Sequence, residues 1–331
     1  MRIILRNLQS VWKYLPMLES LAYQRRQQKL RIEAGPEILH ALEDPNTVEI
    51  MLNSDGRLWV ERCGQEMTEV GRISPLNAEA LIGTVADSLG IVATRETPIV
   101  EGEFALDGSR FEGLLPPIVN APIFTIRKKP PTIFTLDDYV RQGIADQQQR
   151  ERIESAISRH ENILVVGGTG SGKTTLTNAI IDGIAAIHPD DRLVIIEDTA
   201  EIRCRSENAV ILRSTVDVSM ERLLRATMRL RPDRIVVGEV RGMEALSLLK
   251  AWNTGHPGGV ATVHANSAQA GLIRLEQLIA ESGSQKDMRP LIAEAVNVVL
   301  FIARDNSGRK ISEMIEVEDF VNDTFQIVEY K

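Results

Sequence analysis

Ile163-Leu-Val-Val-Gly-Gly-Thr-Gly-Ser-Gly-Lys-Thr174 is an apolar run that breaks into a glycine-rich loop and delivers a lysine and a threonine at the start of a helical pattern. From Gly167 to Thr174 it matches G-x-x-x-x-G-K-[ST]. The glycines let backbone N–H groups turn inward and cradle phosphate oxygens. The helix expected over Lys173–Ile187 adds partial positive charge at its N-terminus. In this chemistry the lysine, Lys173, reaches the β- and γ-phosphates and the hydroxyl of Thr174 ligates Mg2+. The expected nucleotide-binding residues are Gly167, Gly168, Thr169, Gly170, Ser171, Gly172, Lys173, Thr174 and Thr175, with ATP and Mg2+ as cofactors.

Around this loop the chain alternates short apolar runs with helical patterns. The runs are Ile163–Val166, 193–196, 235–237, 259–263 and 296–302. Short, fully apolar strands suit a parallel sheet buried on both faces, so the class expected is α/β, a largely parallel sheet covered by helices. Residues 149–331 form this domain and 130–148 form a linker through Lys128-Lys-Pro-Pro131. Residues 35–129 read as a smaller α/β domain. Thr47–Leu52 and 58–62 flank Asn53-Ser-Asp-Gly56, a hairpin signature. An amphipathic helix is expected at 77–89, and short strands at 102–106, 109–115 and Ile123–Arg127.

Residues 1–31 stand apart, with seven Lys or Arg and one acid, a charge of +6 against −8 for the whole chain. Ile4, Leu8, Val11, Leu15 and Leu18 recur at helical spacing, with Arg2, Arg6 and Lys13 on the other face. Such a helix can lie on an anionic membrane or pack on protein. Pro16 is expected to kink or end it, and Met17 is a second candidate start. The 331 residues hold no 18-residue apolar stretch that would span a bilayer. The acidic balance disfavours general nucleic-acid binding. The two cysteines, Cys63 and Cys204, read as reduced thiols.

The remaining chemistry lies at strand ends. Glu197, Asp198 and Glu201 follow one apolar run, where ligands of parallel sheets bind. They hold Mg2+ through water, activate a water, or simply cap a helix. Glu239 ends Ile235-Val-Val-Gly-Glu, a Walker B type of strand, and a carboxylate here binds metal-bound water or orients the nucleophile. The expected metal set is Thr174, Asp198 and Glu239, partly through water. His264 closes the 255–266 stretch at the same edge and is a candidate γ-phosphate sensor, with His256 a second candidate. Arg222, Arg225 and Arg229 share one helical face, and Arg231, Arg234 and Arg241 follow. They are either a solvated basic stripe or groups that meet a neighbouring subunit or phosphates.

Four boxes in this order resemble the secretion-type traffic ATPases: 167–174, Glu197-Asp198-x-x-Glu201, 230–242 and 255–266. The match is closest to the TrbB-type ATPases of conjugative type IV secretion systems and covers the chain from about residue 35. The resemblance implies a hexameric ring with a RecA-like ATPase domain after a smaller N-terminal domain. It implies ATP hydrolysis at the cytoplasmic face of the inner membrane, driving pilus assembly and substrate transfer with other secretion components. It also assigns Arg110 and Arg127 to the nucleotide phosphates, beside Lys173, Glu239, Glu197, Glu201 and His264 as catalytic candidates. A nucleotide-gated assembly platform and a DNA-translocating RecA-type motor are the rival functions. Type II secretion relatives carry a four-cysteine zinc module; no cysteine follows Cys204, so that branch and a zinc site are not expected.

Overall fold

A computed structural model of the chain describes residues 2–129, 133–215, 217–281, 283, 286–305 and 308–330, with side chains from Leu21 onward, Asp305 apart. The chain divides into two units, Met1–Pro131 and Thr132–Lys331. The apolar face expected for residues 4–18 and the Pro130-Pro131 part of the linker lie outside the described side chains.

The first unit opens on α1 (Arg2–Glu43), a helix that runs through Pro16 and breaks at Gly35, whose φ is 71°. The proline after Gly35 removes a backbone donor and disfavours helical geometry in the residue before it, which places the kink there. Downstream come β1 (Thr47–Leu52), β2 (Arg57–Arg62), β3 (Thr68–Arg72), α2 (Pro75–Ser88), β4 (Ile99–Glu103), β5 (Arg110–Leu114) and β6 (Ile123–Arg127). They form an antiparallel sheet in the order β3-β2-β1-β6-β5-β4. Leu30, Ala34, Ile38 and Ala41 on α1 pack into its core with Leu81, Ile82 and Val85 on α2. Phe104, Phe111 and Phe124 stack within it at 5.7 and 5.9 Å between ring centroids. Thus the later part of the basic segment belongs to this core rather than standing apart from it. Strand β4 sits earlier than the 102–106 expected, because Phe104 N–H already turns back to the Ser109 carbonyl.

The second unit contains α3 (Leu136–Arg141), α4 (Gln147–Ser158), β7 (Ile163–Val166), α5 (Lys173–Ile187), β8 (Leu193–Glu197), β9 (Ala209–Arg213) and α6 (Met220–Thr227). It continues with β10 (Arg234–Val237), α7 (Glu244–Asn253), β11 (Val260–Val263), α8 (Ala268–Glu281), α9 (Arg289–Ala295), β12 (Val298–Asp305), β13 (Gly308–Val321) and β14 (Thr324–Tyr330). The strands order as β14-β13-β12-β7-β11-β10-β8-β9. From β12 to β9 all pairs are parallel, while β13 and β14 add an antiparallel edge.

Side chains alternate across this sheet, so each buried strand feeds two cores. Leu164 and Val166 pack with α7, α8 and α9, whereas Ile163 and Val165 pack with α4 and α5. That is why these strands read as unbroken apolar runs. Leu136, Tyr139 and Ala145 are buried in the second of these cores, so α3 is part of this unit although the sequence reads 130–148 as a linker.

Candidate active site

Strand order decides which side chains can meet. β7, β11, β10 and β8 are consecutive neighbours, and their C-terminal ends carry the glycine loop, His264, Glu239 and Glu197. Ligands of open α/β sheets bind at this edge. Gly172 caps α5 at φ 102°, a left-handed conformation in which a glycine carries no side-chain penalty. A β-carbon at Gly167 would sit 2.5 Å from the Ile302 carbonyl oxygen, so the loop can pass β12 only as glycine. The first N–H groups of α5 therefore face the edge with no capping side chain, a ready anion site.

Lys173 is buried, 7% exposed, and its ammonium donates to the carbonyls of Gly167 and Gly168 at 2.9 Å each. It lies 3.3 Å from Nδ1 of His264. His264 Nε2 is 2.8 Å from Glu239 Oε1, and Arg241 donates to Glu239 Oε2 at 2.6 Å. Arg241 also donates to Asp198 Oδ2 at 2.6 Å. Burial pushes the Glu239 carboxyl up, but the Arg241 hydrogen bond and the charges of Arg241, His264 and Lys173 outweigh it and hold the group below its ordinary value. Burial, reinforced by the Lys173 and Arg241 charges, holds the His264 imidazole below its ordinary value although Glu239 pulls the other way. The result is an ionised carboxylate held by a neutral imidazole and a guanidinium.

The three acids after β8 separate. Glu197 is 1% exposed, and its Oε2 accepts from the backbone N–H groups of Glu201 and Ile202 at 3.0 and 2.9 Å. Burial raises its pKa, against those backbone bonds and Arg213. It shapes the 199–202 turn instead of facing the edge. Asp198, expected at the metal, pairs with Arg241. The carboxylate beside Thr174 is Glu201, whose Oε2 accepts from the Thr174 hydroxyl at 3.0 Å. A hydroxyl and a carboxylate are hard oxygen donors that fit Mg2+.

Two further expectations part company with the structure. His256 bonds through Nδ1 to the Pro232 carbonyl at 3.0 Å, ahead of β10 and β11. Four-residue β11 puts about 13 Å between that edge and His264, so the two histidines serve different places. Arg229 lies beyond the end of α6 and does not continue the face of Arg222 and Arg225. Arg225 is paired with Glu221 one turn away, an exposed ion pair. Arg234 is fully buried, bonded to Asp191 and to the carbonyls of Gly258 and Ile157. Arg110 and Arg127 lie in the first unit, directly opposite each other on β5 and β6.

Positioning residues that the sequence reading passed over are Asn178, Thr262 and Arg213. Asn178 Oδ1 accepts from Arg203 N–H at 3.0 Å and its Nδ2 donates to the Glu201 carbonyl at 3.3 Å, which fixes the Glu201 turn to α5. Its spacing of four from Thr174 puts both on one helix face, a signal available in the sequence. Thr262 donates to the Gly238 carbonyl at 2.7 Å, steadying the residue before Glu239.

A family described as type II/IV secretion system protein matches residues 110–322. The chain belongs to that family. It is 51% identical over 95% of its length, and 97% of the relative's, to conjugal transfer protein TrbB of Rhizobium radiobacter. It is 52% identical to a probable conjugal transfer protein TrbB of Sinorhizobium fredii, covering 92% of this chain and 94% of that one. Among solved structures it resembles the pilus retraction motor PilT with bound ADP, at TM-score 0.63 and 19% identity over 89% of this chain and 82% of PilT. That likeness is one of fold, and the fold is the RecA-like P-loop arrangement preceded by a smaller α/β unit. Among the described residues no helix of this secretion-family chain is long and apolar enough to cross a membrane.

Proposed function

We propose that this chain hydrolyses ATP to ADP and phosphate, and that as a homo-hexameric ring at the cytoplasmic face of the inner membrane it powers pilus assembly and substrate transfer by a conjugative type IV secretion system. The observation that carries the reading is the meeting of Lys173, His264 and Glu239 on one edge, at the uncapped start of α5. The relatives' roles in conjugal transfer support the pathway.

In this reading the loop amides and Lys173 hold the β- and γ-phosphates. Thr174 and Glu201 would hold Mg2+, which when bound neutralises charge on the phosphate oxygens. Glu239, ionised and fixed by Arg241, accepts a hydrogen bond from the attacking water and orients it. His264, neutral and with Nε2 2.8 Å from Glu239 Oε1, lies between that carboxylate and Lys173, where it can register the terminal phosphate. The family resemblance assigns Arg110 and Arg127 to the phosphates as further positive charge. The +6 segment at residues 1–31 supports peripheral contact with anionic lipid.

Lys173→Ala tests the chemistry. Phosphate release should vanish, and release at the wild-type rate from that variant would overturn the reading. Native mass measurement of the ATP-loaded protein tests the ring, which a monomer would remove.

A further inference from the structure

His160, His188 and Asp191 gather at the edge of the second unit's sheet opposite to Lys173 and Glu239. Helices α4 and α5 both end here, and helix C-termini carry partial negative charge that favours a cation. His188 caps α5, and Asp191 follows in a turn closed by its N–H to the His188 carbonyl at 3.2 Å. His160 lies just past α4 in a left-handed conformation, φ 54°. Its Nε2 is 3.2 Å from Asp191 Oδ2, and its ring meets that of His188 edge-on at 4.5 Å between centroids. Among the described residues, His188 Nε2 is buried and has no hydrogen-bond partner. One donor atom from each of the three side chains lies within 4.8 Å of the others.

We propose that His160, His188 and Asp191 bind a divalent transition-metal ion of the zinc class, which clips the ends of α4 and α5 together. Two imidazoles and a carboxylate are the borderline donor set that Zn2+, Co2+ and Ni2+ take, and hard Mg2+ does not. Bonds of about 2.0–2.1 Å to a tetrahedral centre put neighbouring ligand atoms about 3.3 Å apart. His160 Nε2 and Asp191 Oδ2 already stand at 3.2 Å, and turning the His188 ring closes the third side. The buried ring nitrogen, costly without a partner, gains one.

Arg234 is the opposing feature, since its guanidinium donates to Asp191 Oδ2 at 2.5 Å. A carboxylate offers about four lone-pair sites, so Arg234 occupies one and acts as the outer partner that orients a ligating acid. Side-chain exposures of 34% for His160 and 17% for Asp191 leave an entry path from solvent. The lack of cysteines after Cys204 excludes a four-cysteine zinc module, and it has no bearing on imidazole ligands. The 15 residues of α5 put the cluster about 22 Å from the phosphate loop, so the ion is structural and separate from the proposed nucleotide chemistry.

The test uses the full chain without an affinity tag, stripped with a chelator and free of nucleotide. One equivalent of Co2+ should give a visible absorption band that Zn2+ displaces and Mg2+ does not. Zn2+ at about a hundredfold excess over Kd should raise Tm by about 5–10 °C. His160→Gln and His188→Gln should each lose the band and the shift while melting as wild type in chelator. A band and a shift that survive in both variants would overturn the proposal. Acylation of the partly exposed His160 by diethyl pyrocarbonate in the wild-type protein, read by mass spectrometry, gives a measurement that does not depend on variants. Zn2+ should protect His160, and equal labelling of it with and without Zn2+ overturns the site.

Discussion

Replacing Glu239 by glutamine keeps the size of the side chain and removes its charge. The carboxylate is 16% exposed and makes two contacts, 2.6 Å to Arg241 and 2.8 Å to His264. Arg241 retains Asp198, and at 49% exposed it is well hydrated, so the stability lost is about 1 kcal/mol or less. In the proposed mechanism nucleotide affinity rests on the loop amides and Lys173, which Glu239 does not touch directly, and should change by less than about fivefold. Turnover rests on orienting and polarising water. A positioned general base contributes about 10²–10⁴, or about 2.7–5.5 kcal/mol of barrier. E239Q should therefore bind fluorescent ADP like wild type, melt within about 3 °C of it, and release phosphate at least a hundredfold more slowly at saturating Mg-ATP. Turnover within threefold of wild type would refute Glu239 as the water-orienting group. A loss of ADP affinity as large as the loss of rate would show that the carboxylate shapes the loop instead.

Two other substitutions probe the frame around the site. Asn178→Ala removes two part-buried hydrogen bonds between the Glu201 turn and α5, beside the one from Thr174, a cost of about 1–3 kcal/mol. The Mg2+ concentration for half-maximal turnover should rise severalfold while Mg-free ADP binding holds, and an unchanged Mg2+ dependence would count against the Thr174–Glu201 pair as the metal ligands. Glu316 accepts from Tyr330 at 2.7 Å and pairs with Arg152, which joins the antiparallel edge to α4. Burial raises its pKa, but those two partners outweigh burial and hold it below the ordinary 4.5. Folded protein then binds fewer protons at this group than unfolded protein does, so its stabilisation is full above pH 4.5 and fades as pH falls through the lowered value. Melting curves of Glu316→Gln should lie below wild type at pH 7 and converge on it in acid, whereas a constant gap at every pH would exclude this source.

How much of this was legible depends on the distance over which each feature is decided. Strand β7 and helix α5 have the bounds the sequence predicts, because the apolar run, the glycines and the helical pattern are local signals. The hairpin at Asn53–Gly56 was legible for the same reason, with Gly56 at φ 80°. The turn between β13 and β14 uses Asn322 and Asp323 at φ 53° and 60°, a dipeptide with weaker preference than Asn-Gly, and the sequence reading passed over it. Choosing between Asp198 and Glu201 was beyond any local signal. Both follow β8 within four residues, and what separates them is Glu197, whose buried carboxylate pins the next turn and swings Glu201 onto Thr174.

The same logic divides the histidines and explains a demand for glycine that no motif states. His256 and His264 belong to one box of sequence, but a box that spans a strand must put its two ends on opposite edges of the sheet. Only the end that follows β11 can reach Lys173 and Glu239. The glycines between them serve packing: a β-carbon at Gly259 would fall 2.1 Å from Trp252 Nε1 and 2.2 Å from the Ile235 carbonyl, the two atoms that share a hydrogen bond across β10. A residue that looks like part of a catalytic loop thus holds β10 and β11 at the separation that lets Glu239 and His264 meet. For this site, the side chains proposed to do chemistry are placed by neighbours in the sheet, and strand order is a fact that four motifs in a linear sequence do not contain.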